Sequence, residues 1–332
     1  LHLTAHRRPV MRVAGTLYPM AKEPELSEED TSAILKILLN DTKYKEFLDR
    51  QEIDFSYTTA ELARFRGNAF FQKGMISIAL RLIPAKIATL SELNLPASLE
   101  RFTRMEQGFF LVVGPVGHGK STTLATLVDI INKERSTHII TIEDPIEYLF
   151  TPSQSIIDQR EVGMDTKNFH SALTSVFRQD VDVVMIGEMR GPETIATAVT
   201  AAETGHLVFS TLHTNNAPQT IDRIIDSFHP EQQGQIRAQL SQSLAGIFSQ
   251  RLVQRISGGL IPAYELLINN AAIANLIREG RTHELNVVIE TSSGDGMITL
   301  NRTLADLVRR GEIATDSAMA YSLNPEGLEG MM

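Results

Sequence analysis

The spacing of apolar residues divides the chain into three stretches. Up to residue 83, strand-like and helix-like patterns are mixed. PVMRVAGTLYPM, residues 9–20, predicts a hairpin that turns at Ala14-Gly15. SEEDTSAILKILLN, residues 27–40, has apolar residues at helical spacing. Ser27 is its candidate N-cap, and the acids in its first turn face the positive end of the helix dipole. TKYKEFLDR, residues 42–50, predicts a second short helix. IDFSYTT, LARFRGNAFFQ and MISIALRLI, within residues 53–83, read as three strands.

A small sheet backed by helices resembles a PAS-like module. From Pro84 to Pro96 the chain has no amphipathic period and is bracketed by prolines, which predicts a linker. Beyond it, strands and helices alternate. FFLVVG is apolar on both faces, as a buried parallel strand should be. KSTTLATLVDIIN is the helix it feeds, and HIITIED, VDVVMIGE and HLVFSTLH are further strands. KNFHSALTSVF and PETIATAVTAAETG are helices between them, the latter with Pro192 near its start and Gly205 at its end. This alternation predicts an α/β fold with a parallel sheet covered on both faces. From about Pro230 the tail reads as mostly helical. The expected division is residues 1–83, a linker over 84–96, and a second domain over 97–332.

At 332 residues the chain can hold two cores. Its net charge of −9 argues against a protein that coats nucleic acid. With no cysteine, disulfides and Cys-based metal sites are excluded. The longest apolar runs are strand-sized, short of the roughly 18–20 residues a membrane-spanning helix needs. The opening LHLTAHRRPVMRV lacks the apolar core of a signal peptide. A chain beginning at Leu1 predicts that a few residues precede it.

GPVGHGKST, Gly114 to Thr122, has the spacing of a phosphate-binding loop, Gly-x-x-x-x-Gly-Lys-Ser. It follows an apolar strand and opens a helix, the context the motif requires. Gly114, Pro115, Val116, Gly117, His118 and Gly119 form the cradle, with backbone N–H groups from Gly117 to Ser121 turned to phosphate. Lys120 is expected to reach the β/γ-phosphates and Ser121 to ligate Mg²⁺. Thr122 continues the loop into the helix. His118 stands where a small residue is usual. Its side chain is expected to point to solvent, so that position 118 needs only a compatible backbone.

Other chemistry gathers at strand ends. VDVVMIGE delivers Glu188, a candidate base for an attacking water. TIEDPIE sets Glu143, Asp144 and Glu147 close together, a repulsion that Mg²⁺ could relieve directly or through water. His206 and His213 lie seven residues apart and would face opposite sides of a strand, which argues against a shared metal. His213 falls at the strand's C-terminal end, where open α/β sheets bind ligands. Arg64 and Arg66 share a face of one predicted strand, and Arg81 lies on the next.

The phosphate loop, IEDPIEY, IGEMR and TGHLVFSTLHTNNA stand in the order and spacing of the secretion ATPase superfamily. GHGKSTTLATLVDIIN, REVGMDT, TAAETGHLVFSTLHT, IDRIIDSF and ANLIREGRTHE resemble its type IV pilus retraction, or PilT, family. The resemblance spans nearly the whole chain and is weakest over the first 60 residues. It implies a RecA-like ATPase domain behind a smaller PAS-like domain, with ATP between them and Mg²⁺ as cofactor. It also implies a cytoplasmic homo-hexamer, peripheral at the inner membrane, that acts on a pilus platform protein in twitching motility. Lys120 and Ser121 would be Walker A, and Glu188 the Walker B glutamate. Glu143, Asp144 and Glu147 would be the Asp box, with Glu147 its principal acid. His206 and His213 would be the His box, and Arg64, Arg66 and Arg81 the N-terminal arginine set. The absence of a tetracysteine zinc motif favours retraction over the extension and type II relatives. Three departures stand out: His118 for Ser, Gly191 for the Asp of GEMRD, and Ala274 for the Arg of AIRNLIRE. Two alternatives remain: a type IV secretion or competence ATPase, and a non-hydrolysing nucleotide-dependent regulator of a pilus machine.

Overall fold

The computed structural model describes residues 1–13, 16–59, 63–83, 86–189 and 191–332. Ala14-Gly15 of the expected hairpin turn, Leu62, Pro84 of the expected linker and Arg190 of IGEMR lie outside them. The chain forms two compact units: Leu1–Lys86 with Glu147–Leu149, and Ile87–Ile146 with Phe150–Met332.

The first unit is an antiparallel sheet of β1 (His2–Thr4), β2 (Val10–Val13), β3 (Thr16–Pro19), β4 (Glu52–Thr58), β5 (Arg64–Gln72) and β6 (Met75–Ile83). Their order is β3-β2-β1-β6-β5-β4. Helices Glu28–Leu38 and Asp41–Arg50 bury Leu35 and Phe47 in one cluster with Ile53, Phe55 and Ile78 of the sheet. Ser27 caps the first helix reciprocally with Asp30, and Asn40 caps the second. Ile53 and Phe55 are buried while Glu52 and Asp54 are exposed, the two-residue period of a half-covered strand. The sequence pattern did not reveal β1, which is only three residues long.

The second unit carries β7 (Gly108–Val113), β8 (His138–Glu143), β9 (Ile156–Glu161), β10 (Val183–Ile186), β11 (Leu207–Leu212), β12 (Leu244–Gln254) and β13 (Leu260–Ile268). Their order is β13-β12-β7-β11-β10-β8-β9. Neighbours run parallel from β12 to β9, and β13 closes an antiparallel hairpin on β12. Every residue of β7, β10 and β11 is buried, which accounts for their unbroken apolar sequence.

The tail from Pro230 is mostly helical, as expected, but two strands inside it were not anticipated. Leu244–Gln254 and Leu260–Ile268 are long strands, and β12 pairs directly with β7. An apolar run buried on both faces has no period to separate strand from helix. The turn signal was Gly258-Gly259, both at positive φ. Helices return with Ala271–Glu279, capped by Asn270, and continue to the C-terminus.

The register brings the ends of β7, β11 and β10 together. Leu212 pairs with Val113, and Ser210 with Ile186. Gly114, His213 and Glu188 therefore leave the same edge of the sheet.

Candidate functional site

The phosphate loop joins β7 to the helix Lys120–Glu134. Gly119 caps that helix in the left-handed conformation, and no side chain caps it. Without a side-chain cap, the first turn of this helix has the geometry of an anion-binding helix N-terminus. Gly114 has φ 146°, and a Cβ there would stand 2.4 Å from the carbonyl oxygen of Gln250. Only glycine fits so close to β12.

Lys120 is 7% exposed. Its Nζ donates to the carbonyls of Gly114 and Pro115, each at 2.9 Å, and lies 3.3 Å from Nδ1 of His213. Nε2 of His213 lies 3.3 Å from Oε2 of Glu188. A cation, an imidazole and a carboxylate thus form one relay across the ends of three adjacent strands. Such a relay can meet phosphate charge at one end and hold a water-activating base at the other. Ser121 is exposed at the start of the helix, beside Lys120.

Residues of β12 and β13 complete the surroundings of the loop. Gln250 accepts from Thr123 Oγ1 at 2.7 Å and donates through Nε2 to the carbonyl of His118 at 2.9 Å. Arg251 donates to the carbonyl and Oδ1 of Asn215, both at 2.9 Å, in the loop that carries His213. Glu265 accepts from the N–H of Ala217 at 2.8 Å. Burial pushes the Glu265 carboxyl up to about 7, against the pull of that N–H and of Arg251. Sequence reading missed these three residues because it missed their strands.

His118 does not point to solvent, and that expectation is corrected. Its Nδ1 accepts from the N–H of Leu252 at 2.8 Å. Its ring meets Tyr321 edge to face, with centroids 6.2 Å apart. Burial, then Arg251 and Lys120, hold its pKa below the usual histidine value.

The remaining candidates lie elsewhere. His206 precedes β11, at the end of the strand opposite His213. Its Nδ1 is 3.1 Å from the carbonyl of Ala201, and its ring meets Phe177 edge to face. Within this chain it does not join Lys120. Glu143 is 6% exposed and accepts from Thr141 Oγ1 at 2.7 Å and Gln159 Nε2 at 3.3 Å. Asp144 is exposed, and Glu147 groups with the first unit. Among the described residues, no three His, Cys, Asp or Glu side chains gather to hold a metal. In the first unit, Arg66 stands directly opposite Arg81 across β5 and β6, and Arg64 opposite Ile83. Directly opposed residues share a face, so the three arginines lie on one face of the sheet.

The family of type II/IV secretion system proteins matches residues 42–310. The type IV pilus retraction ATPase PilT of Pseudomonas aeruginosa is 42% identical over 98% of this chain and 94% of its own length. A twitching motility protein of Neisseria gonorrhoeae is 41% identical over 96% of this chain and 86% of its own. The crystal structure of the pilus retraction motor PilT with bound ADP superposes with a TM-score of 0.94 and 45% identity. It covers 99% of this chain and 94% of that one. Among the described residues no helix is long and apolar enough to cross a membrane.

Proposed function

The chain belongs to the type II/IV secretion system protein family, among the relatives of PilT, and on that premise we propose that it is a hexameric motor that hydrolyses ATP to power type IV pilus retraction. The observation that carries this reading is the relay from Lys120 through His213 to Glu188 at the mouth of the phosphate loop. Lys120 and the loop amides bind the phosphates. Glu188 takes the proton of the attacking water, and His213 ties that base to the phosphate end.

Mg²⁺ would neutralise charge developing on the phosphates. Ser121 is its protein ligand in this reading, with Glu143, Asp144 and Glu147 acting through water. Arg64, Arg66 and Arg81 are assigned to nucleotide charge as arginine fingers. Like charges opposed across two strands are unfavourable by themselves, and an anionic partner gives them a use. The partners in this reading are further copies of the chain and a platform protein, met at the cytoplasmic face of the inner membrane.

Steady-state ATP turnover of the purified chain, with and without DNA, tests the chemistry. Deletion of the gene, scored for surface pili and twitching, tests the task. We expect DNA-independent turnover, and a deletion strain with excess pili and no twitching. ATP binding without turnover would replace the motor with a nucleotide-dependent regulator.

A further inference from the structure

We propose that His118 is a positioning residue of the phosphate loop, and that its neutral ring clamps the loop to β12 and so sets where the loop amides stand. The proposal rests on the assignment of ATP to this loop. Its structural half can be tested without nucleotide.

β12 outruns its β7 neighbour while β13 stays paired with it to Gln254. β12 runs beside β7 as far as the pair Ser249–Val113. There β7 turns into the phosphate loop, while β12 continues to Gln254. On the β7 side, the N–H groups of this extension no longer meet a strand. A backbone N–H withdrawn from water needs another acceptor. Nδ1 of His118 supplies it for Leu252 at 2.8 Å. The carbonyl of His118 is held from the same strand, by Gln250 Nε2 at 2.9 Å. Residue 118 is thus fastened to β12 twice, once through its backbone and once through its ring.

The protonation state follows from the contact. A ring nitrogen that accepts carries no proton, so the neutral ring bears its hydrogen on Nε2. The neighbours agree: Lys120 and Arg251 both disfavour a second positive charge at this point. The edge-to-face contact with Tyr321 adds a third anchor, from the helix Thr315–Tyr321. That helix buries Ala318 in one cluster with Val253 of β12. The ring therefore joins the loop, the strand and the C-terminal helices.

Serine could not make this clamp, because its oxygen is only one bond from Cβ. Nδ1 of histidine and Oδ1 of asparagine are both two bonds from Cβ, whereas the oxygen of glutamine is three. His118→Asn should preserve the acceptor, and His118→Gln should misplace it. A residue that only filled space would favour glutamine, the closer match in volume.

The test compares the full-length wild type with both variants. Hydrogen exchange at the Leu252 amide is measured without nucleotide; ATP affinity and steady-state turnover are measured alongside. We expect His118→Gln to lose at least tenfold in Leu252 protection. Its dissociation constant and KM for ATP should rise about tenfold, with kcat within twofold, because Glu188 and His213 are untouched. His118→Asn should stay within about threefold of wild type on every measure. Unchanged Leu252 protection in His118→Gln would overturn the clamp. Equal losses in the two variants would overturn it too, as would lost protection with unchanged ATP affinity. A wild type that fails to bind ATP would instead overturn the assignment of nucleotide to this loop, and the exchange data would still decide the clamp.

Discussion

Nζ of Lys120 stands 3.3 Å from Nδ1 of His213, and this contact decides the tautomer of the ring. An ammonium has donors only, so Nδ1 accepts. The hydrogen of the neutral ring is then on Nε2, from which it donates to Glu188 at 3.3 Å. The ring is thereby held from both sides. In the proposed motor, phosphate that drew Lys120 away would change what the ring accepts, and so how it holds the Glu188 carboxylate.

Glu188→Gln should keep ATP binding and lose turnover. The amide retains an oxygen for the Nε2–H of His213 but cannot take a proton from water. The expected loss in kcat is on the order of 10²–10⁴-fold. Lys120→Ala should instead weaken binding itself, because it removes the cation at the phosphates. Calorimetric titration with ATP and a coupled turnover assay separate the two, and wild-type turnover in Glu188→Gln would remove the base from the mechanism.

The close approach of the loop to β12 gives a second expectation. A methyl group on Gly114 would stand 2.4 Å from the Gln250 carbonyl oxygen, a contact that backbone cannot relieve by rotating a side chain. At Gly117 nothing lies within 4 Å of the added carbon, and only the positive φ of 81° opposes it. Gly117→Ala should cost about 1 kcal/mol, and Gly114→Ala clearly more, as measured by urea unfolding. Equal costs would show that the loop does not pack on the strand as described.

The phosphate loop, Glu188 and His213 could be read from sequence because each is a local signal. A fixed spacing follows one apolar strand, and one polar residue ends each of two others. The packing around the loop could not be read in that way. Thr123 and Gln250 are 127 residues apart, and Gln250 and His118 are 132 apart. No period or motif announces such a pair. The strand that carries Gln250 also lacks alternation, since eight successive residues from Leu244 to Arg251 are buried. Solvated turn prolines and glycines punctuate sequence, but a glutamine folded onto a loop does not.

In the first unit, Arg81 faces solvent on β6 opposite Arg66. Removing one of two opposed like charges should leave the sheet as stable as before, or slightly more so. Arg81→Ala should nevertheless lower ATP turnover at least tenfold, if arginines stabilise charge on the transferring phosphoryl group. The hexamer expected by light scattering should persist in the variant. Full turnover by such hexamers would leave Arg81 no part in the chemistry.

Glu265 makes stability depend on pH with an unusual sign. The side chain is 6% exposed and its carboxyl is pushed up to about 7, chiefly by burial. In the unfolded chain it would titrate near its ordinary value of 4.5. Between these two values the unfolded state has released a proton that the folded state keeps. Folding stability contributed by this group is therefore full below about 4.5 and falls as pH rises through the window to about 7, then levels off. A shift of this size corresponds to roughly 2–4 kcal/mol. Glu265→Gln keeps an oxygen for the N–H of Ala217 and does not titrate. Its melting temperature should match wild type near pH 5 and exceed it near pH 8 by several degrees. A constant difference across that range would mean that Glu265 is already ionised in the folded chain, paired with Arg251. The result bears on the site, because Ala217 and Asn215 belong to the segment that follows His213. Ionising Glu265 loads a charge behind the loop that carries the histidine, so the turnover of wild type and Glu265→Gln should diverge over the same pH window.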